Sequence, residues 1–329
     1  MVKLIGKKLK SSRKRRHNKI DVSAYDVVCI GRPAQDTILV GDIFKPVCKH
    51  GVCHNNLPLG LKLDVDDLSV TYGGNALNAS VTFARQSLST ALICQLGNDN
   101  ISKGVIEILD EEGIDDSLVY EDEDVKLAQS TILVAPNGER TILKYRGSDL
   151  KDQALLAHLE NVETRWLYLS SLGSIDLLKG AIRHAKLNQI RVAFNPGGVE
   201  LANSNELKLV LQDVDTLIMN KQEAENLFGN LEPKVLCRAA GEYVKTAIIT
   251  DGPNGSYAFD GKEDYFQPIS ADVKVVDRNG AGDAFASGVI SSLAWGMDLK
   301  NSLEFGAKNS TSVVSYIGAH QGILKRSGV

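Results

Sequence analysis

The sequence predicts an α/β fold with a central, mostly parallel sheet and helices on both of its faces. From residue 150 onward, helical stretches alternate with short apolar runs typical of buried strands, at 166–169, 192–195, 216–219 and 247–250. This alternation indicates βαβ units, which place their strands side by side in a parallel sheet. No interdomain linker interrupts the chain of 329 residues after position 24, at which we expect a tail to end, so we predict one domain over residues 25–329.

The composition is that of an ordinary globular protein, with 43% hydrophobic and 24% charged residues. No run approaches the roughly 18 apolar residues of a membrane span, and the N-terminus lacks the apolar segment of a secretory signal. The five cysteines are an odd number, and Cys29 and Cys94 lie inside strand-like apolar runs, as small buried hydrophobes do. We therefore expect a protein of the reducing cytoplasm with no membrane partner.

The net charge of −4 is spread unevenly along the chain. Residues 1–20 carry nine Lys or Arg and no acidic residue, whereas the remainder has 28 basic residues against 41 acidic ones. We predict a disordered basic tail over residues 1–24. Basic runs of this kind can bind nucleic acid or a membrane surface, but a solubilising extension is the simpler interpretation, so nucleic acid is not an expected partner.

The first predicted strand is the apolar run 25–31, which ends in a glycine. Asp36 follows at what should be the carboxyl end of this strand, where open α/β sheets bind their ligands. Residues 37–71 are polar and irregular, which predicts loop structure.

Cys48, His50, Cys53 and His54 are crowded within that region. A zinc site usually takes two separated pairs of ligands, and this cluster is too cramped for that spacing. A surface loop is therefore the favoured interpretation.

A pair of glycines opens the next predicted helix. Gly73 and Gly74 let backbone amides approach a ligand closely, and Asn78 offers both a donor and an acceptor for hydroxyl groups. A helix start with an asparagine cap explains the same residues without any ligand. Further on, the Asn-Gly pair 137–138 between two alternating arms predicts a β-hairpin over 129–145.

Two short motifs follow predicted strands in the second half of the chain. Asn220 and Glu223 begin a helix, and their i, i+3 spacing puts them on the same helix face. Thr250, Gly252 and Gly255 form a glycine-containing loop. Each motif alone is short enough to occur by chance.

The stretch 275–288 predicts a strand, a tight turn and a helix. The first N–H groups of a helix lack intrahelical partners, and together with the helix dipole they can bind an anion such as a phosphate. Gly280 and Gly282, with Ala281 between them, allow close approach of such a ligand. A phosphate would repel the carboxylate of Asp283. The position of Asp283 is explained if this carboxylate accepts a proton from a hydroxyl that attacks the phosphate. A glycine-rich helix start capped by an aspartate is the alternative without chemistry.

A dinucleotide-binding fingerprint agrees less well with this turn, because Phe285 stands where its third glycine belongs. The sequence also contains no Gly-x4-Gly-Lys-Ser/Thr phosphate loop. Instead, residues 277–285 resemble the C-terminal signature of the ribokinase-like (PfkB) carbohydrate kinases, Asp-Thr-x-Gly-Ala-Gly-Asp-x-Phe. The family's other motifs have counterparts in the same order, at 31–36, 73–78, 220–223 and 250–255.

The resemblance implies a three-layer ribokinase-like fold with a small β-lid, built from parts of 37–72 and 129–146. It implies ATP-dependent phosphorylation of a sugar hydroxyl, with Asp283 as the base and the amides of Gly280, Ala281 and Gly282 stabilising negative charge. The acceptor would be held by Asp36, Gly73, Gly74 and Asn78. The nucleotide would be bound by Asn220, Thr250, Gly252 and Gly255.

Metal ions are implied by the same resemblance. Mg²⁺ would lie near Glu223, held through water, since magnesium favours few protein ligands and many waters. A monovalent cation such as K⁺ would lie at Asp277 and the carbonyl of Asn279, although Arg278 and Asn279 depart from the family's common Thr-rich sequence. A homodimer through the lid is compatible with the family.

A nucleoside kinase of the same family is the nearest alternative. Residues 37–72 offer only Phe44 and Tyr72 as aromatic surface for a nucleobase, which favours a plain sugar as the partner of ATP. A non-catalytic protein that binds sugar or nucleic acid is a third alternative, and the presence of Asp283 argues against lost catalysis.

Overall fold

The computed structural model describes residues 24–50, 52–269 and 273–326. The strands of the first half are β1 (Ala24–Gly31), β2 (Ala34–Val40), β3 (Val47–Lys49), β4 (Val52–His54), β5 (Asp67–Gly73), β6 (Thr90–Ile93), β7 (Gln95–Leu96), β8 (Tyr120–Glu121), β9 (Ala128–Val134) and β10 (Arg140–Tyr145). Those of the second half are β11 (Glu163–Ser170), β12 (Arg191–Asn195), β13 (Thr216–Asn220), β14 (Thr246–Thr250), β15 (Ser256–Phe259) and β16 (Asp264–Gln267).

The helices are α1 (Asn75–Arg85), α2 (Asn100–Glu112), α3 (Asp152–Ala157), α4 (Ile175–Leu187), α5 (Gly198–Ala202), α6 (Ser204–Val210), α7 (Lys221–Phe228), α8 (Pro233–Gly241), α9 (Ala281–Ala294) and α10 (Leu299–Val313). Side-chain caps fix several of their starts. Asp99 accepts the amide of Ser102 at α2, and Ser174 accepts that of Leu177 at α4. Such caps satisfy amides that have no partner within the helix.

An eight-stranded sheet forms the centre, in the order β16-β15-β14-β13-β12-β11-β1-β6. Neighbouring strands from β14 to β6 run parallel, and β15 and β16 extend one edge in antiparallel fashion. The strands expected at 166–169, 192–195, 216–219 and 247–250 are β11 to β14. They appear as nearly continuous apolar runs because strands of a parallel sheet are buried on both faces.

Two helical layers cover the sheet. One core cluster lies beneath α4, α6, α7 and α8, and includes Leu178, Leu207, Leu227 and Leu236. The other lies beneath α1, α2, α9 and α10, and includes Leu77, Leu109, Ile290 and Leu303. The three-layer α/β fold is therefore confirmed.

A second sheet of four strands, in the order β10-β9-β2-β5, forms the predicted lid. The hairpin expected over 129–145 is β9 and β10, paired antiparallel. The prediction of loop structure over 37–71 was wrong at both ends of this range, where β2 and β5 are strands that pair with each other. Asp36, expected at the carboxyl end of β1, lies within β2, the lid strand that follows.

The crowded cysteines occupy a small hairpin, β3 and β4, whose residues are exposed as the surface-loop interpretation predicted. Cys48 and Cys53 are joined by a disulfide, which is at odds with the reducing compartment inferred from the cysteine count. Cys29, Cys94 and Cys237 are free and buried. No group of three or more His, Cys, Asp or Glu within the described ranges could hold a metal ion.

The basic tail predicted over residues 1–24 lies outside the described residues, apart from Ala24, which begins β1. In the part of the chain that the structure describes, no helix combines the length and apolar character needed to cross a bilayer.

Candidate active site

The carboxyl ends of the parallel strands meet at one edge of the central sheet. β1, β11, β12, β13 and β14 end there in Gly31, Ser170, Asn195, Asn220 and Thr250. The chain passes from β1 directly into lid strand β2, which carries the lid to the same edge. The first turn of α9 also lies there, so this edge is the candidate site, as expected for an open α/β sheet.

The turn before α9 is shaped by Gly280, whose φ of 75° is left-handed. A Cβ at this position would come 2.5 Å from that of Ala319, so a larger residue is excluded. A Cβ at Gly282 would meet no atom within 4 Å, so the turn opens into the cleft. The predicted helix is confirmed. The strand predicted before it is wrong, because Val275 and Val276 are exposed and lie outside any strand.

Asp283 lies in the first turn of α9 and accepts a 2.7 Å hydrogen bond from Nδ2 of Asn78. Burial raises the pKa of its carboxyl to about 6; the Asn78 hydrogen bond opposes this rise and the charge of Glu223 adds to it. A carboxylate with a pKa near neutrality is well matched to accept a proton at physiological pH. Both residues were predicted for the site, but their direct contact was not.

Asn78 is only 5% exposed, and its amide has partners on both sides. While Nδ2 faces Asp283, Oδ1 lies 2.7 Å from Nε2 of His320. The sequence predicted that this amide would hold the acceptor. In the structure its donor and its acceptor are both engaged with protein groups.

The lid contacts the turn before α9. Nδ2 of Asn279 donates to Oδ2 of Asp36 at 3.4 Å. Asp277 accepts the amide of Asn279 on Oδ1 and the amide of Gly318 on Oδ2, each at 3.0 Å. Arg140 of β10 places Nη1 3.8 Å from Oδ1 of Asp277. The residues predicted for the acceptor and for a monovalent cation are thus brought together.

Gly73 and Gly74 join lid strand β5 to α1. Gly74 is the N-cap of α1 with a φ of 99°, and a Cβ there would come 2.3 Å from the carbonyl oxygen of Arg32. A Cβ at Gly73 would approach Oδ1 of Asn78 to 3.4 Å. The two glycines therefore allow the lid and the end of β1 to pack closely around the start of α1.

The nucleotide loop and the turn before α9 line one cavity of about 140 Å³. Thr250, Gly252 and Gly255 lie on one side of this cavity, and Ala281 and Gly282 lie on the other. Residues predicted to bind the nucleotide and residues predicted to take part in catalysis therefore line the same cavity.

Asn220 pairs with Thr250 across β13 and β14 and forms a capping box with Glu223. The Asn220 side chain accepts the Glu223 amide, and Oε2 of Glu223 accepts the Asn220 amide, both at 2.9 Å. Burial raises the pKa of Glu223, while these hydrogen bonds lower it. The motif therefore has a structural function in starting α7, whatever it binds.

The model of the pfkB family carbohydrate kinases matches residues 50–326. The chain belongs to this family. Among curated relatives, the ribokinase of Staphylococcus aureus (strain COL) is 26% identical over 276 residues, which cover 80% of this chain and 89% of the relative.

Solved structures share the fold of this pfkB family kinase. The Arabidopsis thaliana ribokinase complexed with ribose and ATP has a TM-score of 0.76 at 20% identity, covering 92% of this chain and 96% of that one. The Methanocaldococcus jannaschii nucleoside kinase of the ribokinase family has a TM-score of 0.74 at 21% identity, covering 91% of this chain and 95% of that one. The ribokinase-like fold is therefore confirmed.

Membership fixes the class of reaction. The protein is an ATP-dependent phosphotransferase with a sugar hydroxyl as acceptor, a ribokinase- or fructokinase-like carbohydrate kinase.

Several polar residues of this pfkB kinase site were missed by sequence reasoning. Asn75 donates to Ser171 at 2.9 Å and lies 3.5 Å from Oδ1 of Asn195. His320 and Arg140 also reach the site from distant segments. Asn75 follows Gly74 directly and Asn195 ends a predicted strand, so position could have indicated both. No local pattern distinguishes His320 or Arg140.

Proposed function

We propose that this kinase transfers the γ-phosphoryl group of ATP to one hydroxyl of a free sugar with Asp283 as the general base. The observation that carries the proposal is the position of Asp283, whose pKa is raised to about 6, in the first turn of α9. The first N–H groups of a helix lack intrahelical partners. In this turn the Ala281 amide lies 3.4 Å from the carbonyl oxygen of Arg278, a long hydrogen bond that a bound phosphate would replace. The Asp283 carboxylate would thus receive a proton next to the backbone amides that would bind the phosphate.

The reaction then needs few groups. The sugar hydroxyl oxygen attacks the γ-phosphorus, its proton passes to Asp283, and the bond to the β,γ-bridging oxygen breaks to release ADP. The amides of Gly280, Ala281 and Gly282 stabilise the negative charge on the transferred group, a contribution that is usually large in phosphoryl transfer. The nucleotide would be bound by Thr250, Gly252 and Gly255, which line the cavity beside the turn, and by Asn220.

A plain sugar agrees better with the lid than a nucleoside does. Phe44 is 2% exposed and packs in the lid core with Leu133 and Ala135. The ring of Tyr72 lies against Gly104 of α2. Phe44 is therefore not available to stack on a nucleobase, and Tyr72 is partly buried against α2. In this proposal Asp36, Gly73 and Gly74 would hold the acceptor, whereas Asn78 would act through its hydrogen bond to Asp283.

Magnesium is compatible with the residues present. Glu223 is an acidic group at this edge whose charge acts on Asp283. A single carboxylate is sufficient, because Mg²⁺ is usually held by one or two carboxylates, by waters and by substrate phosphates. The bound ion would neutralise phosphate charge, and Glu223 would orient its water ligands.

The monovalent-cation position agrees less well with a bound ion. Both carboxylate oxygens of Asp277 already accept backbone amides, and Arg140 supplies a positive charge 3.8 Å away. We therefore assign no step to K⁺. Comparing rates in potassium and tetramethylammonium chloride measures any activation directly.

The lid also supports a homodimer as the oligomeric state. Exposed apolar side chains lie on its two edge strands, namely Leu68 and Val70 on β5 and Ile142, Leu143 and Tyr145 on β10. Edge strands with exposed apolar residues tend to pair or be covered. In sedimentation experiments we expect the wild type to be a dimer and Val70→Lys to be a monomer. A monomeric wild type would contradict the proposed dimer.

A cytoplasmic location rests on the three buried free thiols, Cys29, Cys94 and Cys237. The Cys48–Cys53 pair would be reduced in that compartment. Mass spectrometry of protein alkylated inside cells shows whether Cys48 and Cys53 are free thiols, as a cytoplasmic location requires, or form the disulfide.

The deciding experiment is a coupled ADP-release screen over pentoses, hexoses and nucleosides, with Asp283→Asn as the matched control. We expect one sugar to be phosphorylated by the wild type and hardly at all by the variant. Free nucleobases are added as competitors. Strong competitive inhibition by a free base, together with turnover of its nucleoside, would replace the sugar with the nucleoside alternative.

A further inference from the structure

A short segment after α10, residues 318–320, lies directly against the catalytic turn. The Gly318 amide donates to Asp277, Ala319 packs against Gly280, and His320 reaches Asn78. Three consecutive residues thus contact three different parts of the site. His320 concerns the proposed base most directly, because its partner Asn78 is hydrogen-bonded to Asp283.

The hydrogen-bonding capacities fix the direction of each bond. An ionised carboxylate only accepts, so Asn78 must turn Nδ2 toward Asp283 and leave Oδ1 for His320. Oδ1 is an acceptor, so Nε2 of His320 must carry a proton. Burial lowers the pKa of His320 to about 4, with the charge of Arg85 acting in the same direction and that of Glu112 against it. The imidazole is therefore neutral near pH 7, with its hydrogen on Nε2.

His320 is itself held in place by α1. Its backbone carbonyl accepts a 2.5 Å hydrogen bond from Nη1 of Arg85, and Arg85 also pairs with Glu112 through two hydrogen bonds of 2.9 and 2.5 Å. Asn78 and Arg85 are seven residues apart, so they lie on the same face of α1. The helix therefore contacts both the side chain and the backbone of His320.

We propose that His320 is a positioning residue whose Nε2–H fixes the orientation of the Asn78 amide and thereby that of the Asp283 carboxylate. The proposal rests on the proposed function, in which Asp283 is the base. Without the imidazole donor, Oδ1 of Asn78 loses this partner and the amide is anchored by Asp283 alone. The amide is then freer to rotate, and its hydrogen bond to the carboxylate is weaker.

The test begins with His320→Phe, which keeps an aromatic ring and removes the donor, and with His320→Gln, which keeps an N–H. For His320→Phe we expect kcat to fall about three- to tenfold, the size of one lost hydrogen bond, with KM for ATP unchanged. The acidic limb of the pH–kcat profile should move up by about half a unit to one unit, because Asp283 loses a bond that lowers its pKa. His320→Gln should restore both quantities.

A double-mutant cycle separates positioning from general support of the loop. If His320 acts through Asn78, then His320→Phe should have almost no further effect on kcat in an Asn78→Ala background. An equal loss in both backgrounds would overturn the proposal, as would an unchanged kcat and pH profile in His320→Phe.

The hydrogen bond itself can be observed without activity. In ¹⁵N NMR spectra of the wild type, His320 should be the Nε2–H tautomer and should stay neutral down to about pH 5. A Nδ1–H tautomer, or titration near pH 6.5, would refute the assignment even if His320→Phe fails to fold. A wild type that phosphorylates no sugar would refute the proposed function instead, and the NMR result would still decide the bond between His320 and Asn78.

Discussion

Nδ2 of Asn279 lies 3.4 Å from Oδ2 of Asp36, which joins the turn before α9 to lid strand β2. A second contact, between Arg140 of β10 and Asp277, joins the same two parts of the molecule. The lid therefore contacts the turn before α9, and the proposed acceptor would be enclosed between them.

Replacement of Asp36 by alanine should lower kcat/KM for the true sugar by about tenfold to a hundredfold. The physical reason is that a sugar hydroxyl in a closed site would lose a charged partner, at a cost of about 1.5–3 kcal/mol. ATP hydrolysis without acceptor should hardly change. Asp64→Ala, which removes an exposed carboxylate from the loop between the lid strands, is the matched control. Equal kinetics in the two variants would contradict a role of Asp36 in acceptor binding.

Asp283→Asn should lower kcat by about 10²–10⁴ and leave the fold intact, because an amide cannot accept the hydroxyl proton. Circular dichroism and thermal unfolding check the fold, and the coupled assay measures turnover. Near-normal turnover by the variant would show that another group is the base.

The pH dependence of kcat should reflect the same carboxyl. Asp283 must be ionised to accept a proton, and its pKa in the folded protein is raised to about 6, so kcat should fall as the pH drops below about 6. An acidic limb near pH 4, the ordinary range of an aspartate, would contradict the raised pKa.

Asp283 should also make the stability of the fold depend on pH. The direction is opposite to that of a salt-bridged aspartate, because the pKa of Asp283 is raised and not lowered. The folded protein binds this proton more tightly than the unfolded chain does, since the pKa is raised from 3.8 to about 6. The stabilisation is complete below the unfolded pKa and is lost as the pH rises to about 6. Asp283→Asn should therefore raise Tm relative to the wild type at pH 7.5 more than at pH 4. An equal Tm difference at both pH values would argue against burial of the charge.

Removal of residues 1–22 should leave kcat and KM unchanged, because every residue proposed for the site comes after them in the chain. The steady-state assay on truncated and full-length protein checks this expectation. A large loss of kcat would place the basic segment in the active unit. Salt-sensitive RNA or DNA binding by the full-length chain alone would indicate an interaction arm.

The fold was predictable where burial leaves a clear pattern. β11 to β14 are covered on both faces and appear as plain apolar runs, so the parallel sheet could be predicted. Lid strands β2 and β5 are half-exposed, as are β15 and β16, and their mixed composition resembles loop sequence. The run at Val275 has strand composition, but among the described residues the Val276 amide donates to the carbonyl of Val314, just after α10, and not to a strand.

The site was predictable where one short segment carries the chemistry. Asp283 follows a glycine-rich turn and Asn78 follows a glycine pair, so local sequence indicated both as candidates. His320 and Arg140 reach the site through tertiary contacts from segments with no distinctive pattern. The engagement of the Asn78 amide on both sides follows only from the three-dimensional arrangement.

The contact between Asn78 and Asp283 spans 205 residues, and that between Asn78 and His320 spans 242. These spans have a consequence for biosynthesis. The ribosome adds roughly 5–20 residues per second, so the early strands wait many seconds for α9 and α10 to emerge and cover one face of the sheet. The nascent chain is most open to aggregation during that interval. It also cannot phosphorylate a sugar, because Asp283, the proposed base, and His320 are among the last residues made.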